Sequence, residues 1–143
     1  MKRSILLGAA AAALAFTTTV AFADRTSAPE GASAYIISPS NGETVKNPVT
    51  IKFGLSGMGI APAGIEQVNT GHHHLLINLD PTAINFDEPL PVSDEVVHFG
   101  GGQTEVTKDL PAGTHTIRLL LGDHDHIPHE PPVLSEPVTI TVQ

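Results

Sequence analysis

From Tyr35 to Gln143 the chain nowhere sustains an apolar stripe at i, i+3, i+4 and i+7 over ten residues. It breaks instead into short β-branched or apolar runs separated by glycine and proline. The runs are "YIIS", "VTIKFGL", "HHLLINL", "QTEVTK", "HTIRLLL" and "PVTITVQ". Six runs at this spacing argue against a helical bundle and predict an all-β domain, an immunoglobulin-like antiparallel β-sandwich in which they become strands A, B, C, E, F and G. The segment from Asp80 to Gly102 holds too many prolines for a central strand and is expected to form an irregular crossover between C and E.

Only the N-terminus reads differently. Lys2 and Arg3 precede an apolar run from Ile5 to about Phe16, and "AFA" at 21–23 offers a signal-peptidase site. Residues 1–23 are therefore expected to be a signal peptide cleaved after Ala23, which implies a periplasmic protein with no membrane insertion after cleavage. The run is short for a membrane span. Residues 24–34, "DRTSAPEGASA", read as a flexible lead-in, and 35–143 as one sandwich domain of ordinary size.

Removing Lys2 and Arg3 leaves five basic residues against fifteen acidic ones, a net charge of about −10 with the histidines neutral. Such a surface argues against nucleic acid and anionic lipid as partners. The chain has no cysteine, and Met58 is the one methionine after processing, so a thioether-rich Cu(I) site is excluded. A metal site would have to use His, Asp or Glu.

All eight histidines lie between His72 and His129, six of them in "GHHH" (71–74) and "GDHDHIPH" (122–129). Side chains alternate across a strand, so His72 and His74 share one face while His73 joins Leu75 and Ile77 on the other, where packing in the core is the expected role. His124 and His126 repeat the H-x-H spacing. Strands C and F are antiparallel neighbours in this topology, so the start of C and the end of F meet at one end of the sandwich. His72, His74, His124 and His126 are thus the leading ligand candidates. His129, Asp123 and Asp125 are further candidates, as ligands or as acceptors that orient the rings. His98 stands alone in the crossover and is left outside the set. His115 opens F, six residues at roughly 3.3 Å each from the cluster, and is also left out.

Neutral imidazole suits Cu(II) and Zn(II), and either metal fits this reading. A histidine and aspartate hydrogen-bond network without metal is the alternative. A zinc-dependent hydrolase with Asp125 or Glu130 as base is a further one; no nucleophile elbow, dinucleotide loop, phosphate loop or H-E-x-x-H motif supports catalysis, and a non-catalytic role is expected. The sequence specifies no protein partner.

Taken together, "VTIKFGLSGMGIAPAG", "GHHHLLIN", "FGGGQTE" and "LPAGTHTIRLLLGDHDHIPHEPPVLSEPVTITV" resemble the bacterial exported domain-of-unknown-function family 4399, from about Ser38 to Val142. The resemblance implies that the two histidine motifs and "GMGIAPAG" form one unit, and names no metal. A looser likeness, confined to "SPSNGETV…PVTIKF", is to small periplasmic copper-carrier sandwiches. Those use a histidine at or near the mature N-terminus, where this chain has none.

Overall fold

The computed structural model describes residues 24–143, so the signal-peptide reading lies outside the described residues. Strand β3 (Val49–Ser56) shows the expected alternation: Val49, Ile51 and Phe53 are buried, and Thr50 and Lys52 are exposed. It pairs antiparallel with β1 (Ser33–Ser38) and β7 (Glu105–Lys108) to make a three-stranded sheet. The facing sheet runs β2 (Thr44–Val45), β9 (Val138–Val142), β8 (Gly113–Gly122), β5 (Thr70–Ile77), β4 (Gly59–Ile60). The short strands β2 and β4 pair parallel to β9 and β5; the long strands of this sheet pair antiparallel. This is the expected β-sandwich, with A, B and E on one side and C, F and G on the other.

The main core lies between the sheets, where Ile51 and Phe53 meet Leu75, Ile77, Ile117, Leu119, Leu121 and Ile140. The second sheet is buried on its outer face as well. There Leu76 and Leu120 pack with Leu90 and Val96 in a smaller cluster, flanked by Leu79, Ile84, Phe86 and Leu134. This explains the continuous apolar runs "HHLLI" and "RLLLG": a strand covered on both faces loses its polar alternation. The cover is the crossover after β5 together with the loop after β8.

Two features differ from the sequence reading. The crossover contains a 3-10 turn (Pro81–Ala83) and a three-residue strand, β6 (Val96–His98), that pairs antiparallel with β5. Three residues are too short to show a period, so composition alone hid the strand. The lead-in at 24–34, expected to be flexible, carries specific contacts. Ala28 N–H donates to Glu130 O at 2.9 Å, Glu130 N–H to Thr26 O at 2.9 Å, and Arg25 Nε to Pro128 O at 3.0 Å. Strand β1 starts at Ser33, ahead of Tyr35. No helix among the described residues is long and apolar enough to cross a membrane.

Truncating a side chain between the sheets leaves a cavity that close packing cannot refill. Leu119, which is fully buried, should therefore lose about 2–5 kcal/mol in Leu119→Ala. Ile37→Ala, at a position 56% exposed, should stay within about 0.5 kcal/mol of the parent. Urea unfolding of both variants checks this division.

Candidate metal centre

Strand alternation sends His73 inward, where its ring meets Phe53 edge-on at 5.3 Å, and sends His72 and His74 to the outer face with Leu76. The antiparallel register sets His72 opposite Gly122 and His74 opposite Leu120. On the other side of β5, the short strand β6 sets His98 opposite His74. Directly opposed residues share a face, so His98 joins His72 and His74.

The fourth ring comes from the loop after β8. Asp123, 5% exposed, organises that loop: Oδ1 accepts from the backbone N–H of Asp125 at 2.9 Å and of Ile127 at 3.0 Å, and Oδ2 accepts from Thr26 Oγ1 at 2.7 Å. His126 N–H closes the turn on Asp123 O at 3.0 Å. His126 has φ 69°, the left-handed region that histidine tolerates better than most side chains. Its ring returns over the sheet, 5.0 Å from His72, 6.0 Å from His74 and 4.6 Å from His98. The remaining ring separations are 4.9 Å (His72–His74), 5.0 Å (His72–His98) and 5.1 Å (His74–His98). A planar square would make two of the six separations about 40% longer than the others; the observed near-equality places the rings at the corners of a distorted tetrahedron.

Within this group the ligand nitrogens of His72, His98 and His126 all lie within 4.8 Å of one another. His72 Nε2 and His98 Nε2 are 3.2 Å apart. Two imidazole nitrogens on one tetrahedral metal at roughly 2.0–2.1 Å sit about 3.3–3.4 Å apart, so this pair already has the spacing of a shared ion. His72 is fully buried and the other two half-buried, so the cluster is reached from the His98 and His126 side. Tight approach requires glycine. A Cβ at Gly122 would lie 2.7 Å from His74 Cε1, and one at Gly100 would lie 2.7 Å from His98 Nε2.

The segment "GMGIAPAG" ties the histidine-bearing segments together through backbone bonds. Ala61 N–H donates to Gly71 O, Ala63 N–H to Gly100 O and Gly64 N–H to His124 O, each at 2.9 Å.

The environment favours the neutral form of His72, His74 and His98. Burial, then the neighbouring His126 and His98, lower His72 to about 4. Burial, then His72, His98 and His126, lower His74 to about 3. Burial and His126 lower His98 as well. Neutral imidazole is the form with a lone pair to give to a metal. His72 Nδ1 and both nitrogens of His74 are buried without a hydrogen-bond partner, as are both nitrogens of the core-facing His73 and Nδ1 of His129. A donor or acceptor left so costs about 1–3 kcal/mol, and such atoms call for an explanation.

Of the candidates read from sequence, His72, His74 and His126 come together, and His98 joins them. The other four stand apart. His124 is adjacent to the turn but its Nε2 lies 3.2 Å from Asp125 Oδ2, with Asp125 69% exposed. The H-x-H spacing fails there because residues 123–126 form a turn, where period-two alternation does not hold. Asp123 spends its carboxylate on the loop backbone and Thr26. His129 is buried at the start of β5, its Nε2 donating to Thr70 O at 3.2 Å. Glu130 pairs with Arg25. His115 is structural: Nε2 donates to Pro111 O at 2.7 Å, which leaves Nδ1 to accept from Asn78 Nδ2 at 2.9 Å. No sequence signal marked His98, because the three-residue strand that carries it is too short to show alternation.

These buried rings couple stability to acid. His72, His73 and His74 are all lowered from 6.5 to about 4, about 4 and about 3, in each case mainly by burial. Above pH 6.5 both folded and unfolded chains leave them neutral and stability is full. Below it the unfolded chain takes up protons that the folded chain refuses, so stability falls down to about pH 4, by on the order of 1 kcal/mol per pH unit for each histidine. Urea unfolding of metal-free protein at pH 7, 6 and 5 should show this loss, and His73→Leu should make it shallower.

No curated protein and no solved structure matches the chain. A family model described as Domain of unknown function (DUF4399) matches residues 51–143, a span that contains every histidine and the "GMGIAPAG" segment. With well over half its length inside that match, the chain belongs to the DUF4399 family.

Proposed function

We propose that this domain is an exported, periplasmic metal-binding protein that holds a divalent transition metal, Cu(II) or Zn(II), through His72, His98 and His126, with the His74 ring beside them. The observation that carries the reading is the convergence of three ligand nitrogens within 4.8 Å of one another on three separate chain segments. Segments so far apart in sequence bring neutral imidazoles together only at a cost in burial and ordering, which a metal would offset. A metal-free hydrogen-bond network accounts for the His72 Nε2–His98 Nε2 contact at 3.2 Å, but it leaves His72 Nδ1 and both nitrogens of His74 unpaired. Export rests on the signal-peptide pattern of residues 1–23, and the role is binding, as buffer or carrier, rather than turnover.

A ligand that binds only the folded state stabilises it by mass action, by about 2.7 kcal/mol at a hundred-fold excess over Kd. Chelator-treated protein should therefore melt higher on addition of micromolar Zn(II) or Cu(II). His98→Ala should weaken binding by about a hundred-fold or more, beyond what loss of an orienting neighbour costs, whereas His124→Ala should keep the shift. Absence of any shift in the parent protein with either metal would sink the proposal, and equal losses in the two variants would misplace the site.

A further inference from the structure

The metal reading explains three of the four clustered rings and leaves His74 unexplained. Its ring stands 4.9 Å from His72, 5.1 Å from His98 and 6.0 Å from His126. Yet it is not in the group whose ligand nitrogens lie within 4.8 Å of one another. It is fully buried and packs against the backbone at Gly122, where a Cβ would lie 2.7 Å from its Cε1. Neither of its nitrogens makes a well-formed hydrogen bond, although the backbone of His72 offers an acceptor beside the ring. A neutral imidazole has one N–H donor and one lone pair, so most of the ring's bonding capacity at the cluster is unused.

Charge bears on the same place. Three imidazoles bring no charge, so a divalent ion bound by them keeps its full double positive charge in a largely buried place. Asp123 is the carboxylate near His72, but its oxygens accept from Asp125 N–H, Ile127 N–H and Thr26 Oγ1. Asp125 is 69% exposed on the outer side of the turn. Three protein ligands leave a tetrahedral ion one position that the protein does not fill, as in catalytic three-histidine zinc sites.

We propose that His74 is not a fourth ligand: the metal held by His72, His98 and His126 keeps one coordination position for a small anion, and His74 donates its ring N–H to that anion. The ligand class is hydroxide or an inorganic anion of similar size, since two of the rings around the position are fully buried and entry is past the half-buried His98 and His126. This rests on the metal-binding reading and adds an anion site to it.

The test uses the chelator-treated protein loaded with Co(II), whose visible absorption reports the ligands around the ion, and azide as the anion. In the parent protein azide should shift the Co(II) band saturably, at one azide per metal. In His74→Leu the azide affinity should fall by at least roughly tenfold more than the Co(II) affinity does, as loss of a buried hydrogen bond to a charged group requires. His74→Asn, which keeps an N–H donor, should recover part of the azide affinity. A Co(II) spectrum in the parent that azide leaves unchanged overturns the open position without any variant. A His74→Leu protein that loses Co(II) and azide affinity alike overturns the role of His74 and makes it a ligand. If the parent binds no Co(II), Zn(II) or Cu(II), the metal-binding reading itself falls, an outcome distinct from bound metal that ignores azide.

Discussion

The antiparallel pairing of β5 with β8 is the constraint on which the rest of the molecule depends. Its register, His72 opposite Gly122 and Leu75 opposite Leu119, decides which side chains face the other sheet and which face outward. Because the side-chain period in a strand is two, a slip of one residue would exchange His73 for His72 and His74 across the sheet. The main core holds the register through Leu75, Ile77, Leu119 and Leu121, and the outer cluster holds it again through Leu76 and Leu120. The histidines are thus placed by apolar packing that has no use for their chemistry.

What the sheet begins, two loops complete. The crossover brings His98 beside His74, and the turn organised by Asp123 brings His126 over both. The N-terminal segment braces this arrangement: Thr26 bonds the Asp123 carboxylate, while the Arg25 guanidinium bonds Pro128 O, His129 O and Glu130 and lies 5.7 Å from the Phe86 ring of the crossover. One arginine therefore touches both loops that cover the outer face. Burying imidazoles here has a consequence for electrostatics, since burial and the neighbouring rings drive His72, His74 and His98 toward the neutral form. The same burial that readies them as ligands makes the metal-free fold sensitive to acid.

Much of this was legible in the residues. Strand-like runs punctuated by glycine and proline implied the sandwich, and C beside F followed from its topology, so His72, His74 and the loop after F were expected at one end. Three points were not legible. His98 lies on a strand too short to show alternation. His124 and His126 look equivalent by spacing, but a turn with a left-handed residue at His126 separates their directions. Asp123 and His129 look like ligands by type, but the Asp123 carboxylate is engaged with backbone and Thr26, and His129 Nε2 with Thr70 O.

The sequence by itself determined the fold class and the end of the domain at which histidines gather, because hydrophobic periodicity and turn residues are local properties that one chain segment carries alone. Which histidines face one another was decided only by the tertiary structure. That choice depends on the register of β5 with β6 and β8 and on the backbone path of the turn at 123–126, both set by contacts between residues distant in sequence.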